Sequence, residues 1–386
     1  MRVCGIIAEY DPFHKGHLYH FNQAREKACA DYMVCVLGCA FSQRGEAMLF
    51  QTQDRARMAL ANGFDLVLGM PFSFSCAQAN RFAGGGVGIL QGIGMVTHLS
   101  FGCETDNLDW LTGAAHLLNR PGLSFIQSLK KGLREGRSFA QAQGRALTEH
   151  LPELPLHLLS SPNFILGLSY LRELERLDSP IIPLPVKRET AYHSTSPGPM
   201  ASASAVRAFL VKGETGLAMQ SCPNKSREII REAMDAARYH RSEALDKALI
   251  ACLISGGNKL SGSPEISEGL DDRIHMAALR ARTREELISL SKTKRYPRAR
   301  INRALSHALV SGYDFPRTPP YARLLGLRRS AGPLMNMLDK TFPLVGRPAR
   351  SGFPGLKQDM RAEELWALGS GLAPESAWRY PIAVID

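Results

Sequence analysis

Gly5-Ile-Ile-Ala-Glu-Tyr-Asp-Pro-Phe-His-Lys-Gly-His-Leu-Tyr-His20 (GIIAEYDPFHKGHLYH) decides the fold. An apolar run, Val3 to Glu9, ends abruptly in proline, glycine and three histidines, and a helix-compatible stretch, Gly16 to Ala30, follows. A continuous apolar run of this length reads as a strand buried on both faces, and such strands belong to parallel sheets covered by helices. The histidines therefore fall at the carboxyl end of a strand and the amino end of a helix. Open sheets bind ligands in that crevice, and the free amides and dipole of a helix N-terminus attract phosphate there.

The alternation continues outward from this stretch. Tyr32 to Leu37 reads as a second buried strand, Gln53 to Asn62 as a helix, and Asp65 to Leu68 as a third strand closed by Met70-Pro71. Gln78 to Gln91 is an Ala/Gly-rich helix and His98 to Glu104 a fourth strand. Thr105 to Glu175 is expected to be mostly helical, Pro180 to Lys187 a further strand, and a short helix opens at Ser202. Strand and helix in alternation predict an α/β fold with a doubly wound, Rossmann-like parallel sheet. From about Gly216 no strand is expected. Arg, Ala and Leu at helical spacing, interrupted at SGGNKLSGSP and between Gly346 and Gly355, predict a mainly α-helical second domain. The expected division is 1–215 and 216–386.

Composition bounds the function. The 386 residues carry a net charge of +11 with a pI near 9.4, which suggests an anionic partner. No run approaches the roughly 20 apolar residues of a membrane helix and no signal-like segment opens the chain, so no membrane partner and a cytoplasmic location are expected. The eight cysteines lack paired CxxC spacing. Cys35 and Cys39 sit close enough to raise a metal pair, but no second pair matches them, and buried free thiols are the expected reading.

Within HKGH, His14 and His17 lie three residues apart, on one side of a first helical turn. Two imidazoles beside an α-phosphate can donate hydrogen bonds to oxygens that gain charge in a transition state. Gly16 removes a side chain where backbone is expected to approach a ligand, while His20, a turn further on, reads as structural. Gly102 ends the fourth strand on the same sheet edge, either to admit a base or ribose or as a plain strand-ending glycine. Asn163 follows Pro162 and is either a helix cap or a reader of an adenine edge. Arg188 closes the strand PIIPLPVK, where its planar fork faces phosphate or solvent.

The HxGH after a strand resembles the nucleotidyltransferase branch of the superfamily that carries the HIGH sequence. The wider stretch is similar to the bacterial tRNA(Met) cytidine acetate ligase family, whose corresponding run is typically EYNPFHNGH. FSQRGEA (Phe41 to Ala47), RARMALANGFDLV (Arg55 to Val67), FGCE (Phe101 to Glu104), PNFILGLSYL (Pro162 to Leu171), SASAVR (Ser202 to Arg207), EGLDDRI (Glu268 to Ile274) and TKRYPRARINR (Thr293 to Arg303) agree in order. The resemblance implies condensation of acetate with ATP to acetyl-adenylate and pyrophosphate. Acetyl then passes to the exocyclic amine of the wobble cytidine of elongator tRNA(Met).

By that match His14 and His17 are the catalytic pair, and the ATP site comprises Ile7, Ala8, Glu9, Tyr10, Asp11, Pro12, Phe13, His14, Lys15, Gly16, His17, Leu18, Tyr19, His20, Gly102, Asn163 and Arg188. SASAVR resembles the ISSTxxR signature of adenylyltransferases, in which a helix N-terminus holds the outer phosphates. That adds Ser202, Ser204 and Arg207. Arg44 also follows the second strand towards this edge. Mg²⁺ is expected to shield the triphosphate, with water and phosphate supplying most of its ligands.

A dense basic stretch includes Lys292, Lys294, Arg295, Tyr296, Arg298, Arg300 and Arg303, preceded by Arg280, Arg282 and Arg284. It is expected to meet RNA phosphates and to stack a base on Tyr296. Four positions depart from the family pattern: Asp11 for Asn, Ala40 for a polar residue, Thr52 for Lys and Gly69 for Glu. Asp11 in particular places a carboxylate beside the phosphates. Two other readings stay open at this point: a different small-molecule adenylyltransferase, and a tRNA-binding protein with a relic nucleotide pocket.

Overall fold

A computed structural model describes residues 1–188, 201–255, 260–312 and 314–386. The first part runs β1 (Val3–Ala8), α1 (Lys15–Ala28), β2 (Tyr32–Gly38), α2 (Thr52–Ala61), β3 (Leu66–Met70), α3 (Phe72–Ser75), α4 (Ala79–Gly92) and β4 (His98–Cys103). Helices α5 (Leu108–Asn119), α6 (Leu123–Arg134), α7 (Phe139–His150) and α8 (Pro162–Arg176) lead to β5 (Ile182–Lys187). The strands β5-β4-β1-β2-β3 lie in that order, all parallel. The order reverses between β1 and β4, so the crevice at their carboxyl ends is the switch point where such sheets bind ligands.

Both faces of the sheet are covered. Val3 and Ile7 of β1 join Leu68, Val87, Leu99 and Phe164 in one core, while Cys4 and Ile6 join Phe21, Met33, Ala59 and Ile230 in another. Neighbouring residues of a strand point to opposite faces, so double coverage requires an unbroken apolar run rather than an alternating one. Full burial of each Val, Leu or Ile side chain stabilises the fold by roughly 1.5–3 kcal/mol. Gly5 is required by packing: a Cβ there would sit 2.7 Å from the Leu90 side chain.

The remainder comprises α9 (Ala203–Val211), α10 (Thr215–Gln220), α11 (Asn224–Asp235), α12 (Asp246–Ser255), α13 (Leu270–Ala278), α14 (Arg284–Ser291) and α15 (Arg298–Val310), then β6 (Ala322–Arg328), α16 (Gly332–Asn336), β7 (Leu344–Val345), α17 (Leu356–Gly369) and β8 (Ala383–Ile385). Here the structure corrects the expectation that strands stop near residue 216. β6 pairs antiparallel with β3, and β7 and β8 pair with β6, so the last third of the chain completes the sheet. Helices α10 and α11 also pack on the sheet core, through Met219, Ile229 and Ile230. A separate helical core begins only with Leu245 and gathers Leu249, Ile274, Leu287, Ile301 and Leu305 of α12 to α15. The SGGNKLSGSP interruption lies partly outside the described residues.

Helix α17 joins the two parts. Ala362 and Trp366 pack with Ala40, Phe41, Phe72 and Val310, and the Trp366 indole donates to the Met48 carbonyl at 2.6 Å. Most cysteines are buried as expected, but Cys29 at the end of α1 is exposed.

Candidate nucleotide-binding active site

The turn between β1 and α1 is built to aim two imidazoles. Tyr10 adopts a left-handed conformation (φ 49°), the Asp11–Pro12 peptide is cis, and Tyr10 and Phe13 are fully buried with their rings 4.7 Å apart, edge to face. His14 caps α1: its Nδ1 accepts the Gly16 N–H at 3.0 Å, and His17 Nδ1 accepts the His14 N–H at 3.3 Å. Each ring thus uses Nδ1 as an acceptor, which assigns the proton of the neutral imidazole to Nε2. The rings stack with centroids 3.7 Å apart and planes 20° apart.

Burial lowers the basicity of the whole cluster. His14 is pushed down to about 3 by burial, with Arg188 and Arg207 adding to it, and His20 down to about 4 by burial and Arg188. His17 is held well below its usual range by burial, then by His14, Arg188 and His20, with the Pro12 carbonyl opposing. Near neutral pH these rings are uncharged hydrogen-bond donors. Gly16 also makes room for the histidine ring: a Cβ there would meet His14 Cε1 at 2.8 Å. Ile7 and Ala8 end β1 beneath this turn, Leu18 packs into the core beside α1, Lys15 donates its N–H to the Ser221 carbonyl, and Lys15 and Tyr19 are half-buried.

The opposite wall of the crevice comes from β4, β5 and α8. The Arg188 stem lies over Gly102, its Cγ 3.6 Å from where a Cβ would stand, and its N–H donates to the Cys103 carbonyl at 2.9 Å. The arginine thus crosses the strand end towards the histidines, in ordinary packing contact over Gly102. His20 bonds Ser100 of β4 at 3.0 Å through Nε2, a structural tie as expected. Asn163 is in the first turn of α8, and its side-chain amide donates to Glu104 Oε1 at 2.9 Å; the residue at the cap position is Ser161.

SASAVR docks on the same turn. Ser202 caps α9 by accepting the Ala205 N–H at 3.3 Å. Arg207 donates to the Asp11 carbonyl at 2.8 Å, approaches the Asp11 carboxylate at 3.8 Å and reaches Ser204 at 3.4 Å. The Asp11 carboxylate does not face the phosphate side as expected. It is buried, with its two oxygens accepting the N–H groups of Leu49 and Phe50 at 2.8 and 3.0 Å.

Sequence reasoning missed Arg55. This guanidinium is fully buried on α2 and donates to the carbonyls of Glu9 (2.7 Å), Gly38 (2.6 Å), Cys39 (2.6 Å) and Phe50 (3.0 Å). It ties the ends of β1 and β2 together beneath the site. Glu9, half-buried just past β1, accepts the Gln43 N–H at 2.6 Å. Burial pushes its carboxyl up, opposed by the Gln43 amide, Arg207 and Arg55.

Beyond Gln43 the chain turns through an exposed Arg44 to Gly45, where a Cβ would lie 2.4 Å from the Arg303 nitrogen. The Gly45 carbonyl accepts from Arg284 (2.8 Å) and Ser306 (2.7 Å) of the helical bundle. His307 of α15 bonds the Cys76 carbonyl at 2.7 Å and Ser263 at 2.8 Å, a second tie between the parts.

The basic stretch is divided. Lys292 and Lys294 are exposed; Arg295 and Arg298 are exposed but paired with Glu268 and Glu285. Arg300 donates to the Glu265 carbonyl (2.7 Å) and Ser267 (2.6 Å). Two expectations are corrected. Tyr296 is buried with its hydroxyl on the Glu268 carbonyl at 2.7 Å, and Arg303 is buried in a two-pronged pair with Glu265 at 2.8 and 2.9 Å. Neither presents itself to a nucleic acid.

The remaining departures from the family pattern are also buried. Thr52 donates to Glu363 Oε1 at 2.8 Å, which also accepts from Arg323 of β6 at 2.8 Å, and a Cβ at Gly69 would touch Arg323 Cβ at 3.2 Å. Ala40 packs in the apolar cluster around Trp366.

The model of the HIGH Nucleotidyl Transferase family matches residues 1–376. The tRNA(Met) cytidine acetate ligase of Acetivibrio thermocellus is 35% identical, covering 95% of this chain and 93% of its own, and that of Syntrophomonas wolfei is 36% identical, covering 98% and 97%. The crystal structure of Thermotoga maritima TmcAL bound with alpha-thio ATP superposes with a TM-score of 0.91 at 25% identity over all of both chains, and its apo form with 0.92 at 26%. The stacked HxGH pair at the switch point and these matches along nearly the whole length agree: the chain belongs to the tRNA(Met) cytidine acetate ligases of the HIGH nucleotidyltransferase family.

Proposed function

We propose that this protein joins acetate to the wobble cytidine of elongator tRNA(Met) using ATP. The observation that carries the reading is the pair of neutral, Nε2-protonated histidines stacked at a helix N-terminus, between Arg188 and Arg207. In the first step an acetate oxygen attacks the α-phosphorus of ATP and pyrophosphate leaves. Imidazole N–H groups that are preorganised and uncharged stabilise charge on the α-phosphate as it develops, without an ion to desolvate. Arg207, Ser202 and Ser204 at the start of α9 hold the outer phosphates, and Arg188 with Gly102 shapes the nucleotide wall. In the second step the cytidine N4 attacks the acetyl carbon and AMP leaves.

Among the described residues no three His, Cys, Asp or Glu side chains converge as a metal site. Mg²⁺ in this reading travels on the triphosphate and water, and no step here runs through a protein-bound metal. The exposed cations around Lys292 and Lys294, together with Arg280 and Arg282, supply the tRNA-facing surface of the helical bundle. No helix among the described residues is long and apolar enough to cross a membrane, and a reaction on tRNA with ATP belongs in the cytoplasm.

The test is transfer of labelled acetate to bulk tRNA with and without ATP, comparing the protein with its His17→Ala variant. ATP-dependent labelling that the substitution abolishes supports the reading. Acetate-independent pyrophosphate exchange with no labelled tRNA would replace it with another adenylyltransferase.

A further inference from the structure

The second step needs a base. When the cytidine N4 attacks the acetyl carbon, the C–N bond forms, the bond from acetyl carbon to phosphate oxygen breaks, and one amine proton must leave. His14 and His17 cannot take it, since each Nδ1 already accepts a backbone N–H and each Nε2 carries the ring proton. Glu9, Asp11 and Glu104 carry carboxylates among the residues that follow β1 and β4. Asp11 is buried with both oxygens on the amides of Leu49 and Phe50. Glu104 holds Asn163 through Oε1, and its Oε2 is buried without a hydrogen-bond partner among the described residues.

Glu9 is placed differently. It follows β1 directly and leans across the end of β2, with its Cγ 3.6 Å from the Cβ position of Gly38. The Gln43 N–H fixes one carboxylate oxygen, and Arg55 fixes the Glu9 carbonyl. Gln43 begins the turn whose Gly45 carbonyl is held by Arg284 and Ser306 of the helical bundle. Glu9 therefore connects the end of β1, five residues before His14, to the loop held by the part of the molecule assigned to tRNA, its side chain preorganised and only partly exposed.

We propose that Glu9 is the general base of acyl transfer, its carboxylate taking the N4 proton as AMP departs and then releasing it to solvent. This assignment rests on the function proposed above. Its charged surroundings are Arg207, Arg55 and Asp11, with the Tyr170 phenol and the Cys76 thiol also within its field. Burial, the largest influence, raises the carboxyl above its ordinary value, which suits a base working near neutral pH.

The experiment measures two half-reactions on the whole chain. Acetate-dependent ATP–pyrophosphate exchange reports adenylation, and single-turnover transfer from preformed acetyl-adenylate to tRNA reports the second step. Glu9→Gln, which still accepts the Gln43 N–H, is expected to slow transfer by about 100-fold more than exchange. It is also expected to lose the acidic limb of the transfer pH profile, in which the wild-type rate falls as the carboxylate takes up a proton. Glu9→Asp recovers part of the transfer rate. Equal losses in both half-reactions, or an unchanged acidic limb in Glu9→Gln, would overturn the assignment. A wild-type protein that performs acetate-dependent exchange yet labels no tRNA would overturn the tRNA function, and the base with it.

Discussion

His17 Nδ1 takes the backbone N–H of His14, and the two rings stack 3.7 Å apart. The aim of one ring thus depends on the other, and both present Nε2–H. His17→Ala removes a donor and its partner's support together. Acetate-dependent pyrophosphate exchange is expected to fall by about 100-fold or more, with ATP affinity changed far less. Calorimetric ATP binding alongside exchange kinetics separates the two. A variant that exchanges at the wild-type rate would remove His17 from the chemistry.

Arg55 places one cation on four carbonyls of two strand ends and the following loop. Lysine has fewer donors and lacks the fork, so Arg55→Lys leaves buried carbonyls unmatched. A loss of about 2–4 kcal/mol is expected, read as a lower denaturant midpoint. The KM for ATP rises as well, because the Glu9–Phe13 turn is no longer held.

Glu363 and Arg323 form a buried pair, and Thr52 donates to the same Glu363 oxygen. Glu363→Ala strands a buried guanidinium and should cost about 3–5 kcal/mol. Adding Arg323→Met should recover most of that loss, because the charge disappears with its partner. Equilibrium unfolding of the single and double variants tests the coupling. Simple additivity would show that the pair contributes nothing as a unit.

Within the basic stretch, the structure separates surface from support. Lys292→Gln with Lys294→Gln should weaken tRNA binding and make the salt dependence shallower by roughly one unit per lost phosphate contact. Tyr296→Phe should leave tRNA affinity unchanged while losing about 1 kcal/mol of stability through its bond to Glu268. Filter binding at several salt concentrations distinguishes these outcomes.

Buried neutral histidines also set an acid limit. His14 lies down at about 3 and His307 at about 4, both by burial. Unfolded histidines titrate near 6.5, so below that pH the unfolded chain binds more protons. Their stabilising contribution is complete above about 6.5 and is lost as pH falls towards 4, at about 1.4 kcal/mol per pH unit for each ring. The melting temperature should therefore fall between pH 6.5 and 4, and His307→Gln should flatten that fall.

The five parallel strands were legible because double burial leaves uninterrupted apolar runs. β6 was not, because its sequence, ARLLGLR, places charge inside a strand, and the partner of Arg323, Glu363, lies forty residues on. β7 and β8, at two and three residues, carry too little pattern to read. At the site, the HxGH spacing and SASAVR announced themselves locally. Arg55, Tyr296 and Arg303 looked like surface residues because the groups that bury them, the strand-end carbonyls, Glu268 and Glu265, are distant in sequence or carry no side-chain signal. The packing of the His14 ring against Gly16 is likewise a contact that the sequence pattern does not announce.

The antiparallel pairing of β6 with β3 has a consequence for synthesis. As the chain leaves the ribosome, the nucleotide-binding strands are complete long before residues 322–328 exist. Until then β3 offers a row of unpaired N–H and C=O groups to any neighbouring nascent chain, a template for aggregation. A fragment ending at residue 215 keeps every residue of the HxGH turn yet retains that open side permanently. Soluble expression of the catalytic half therefore depends on the last third of the polypeptide, which shields what the first third exposes.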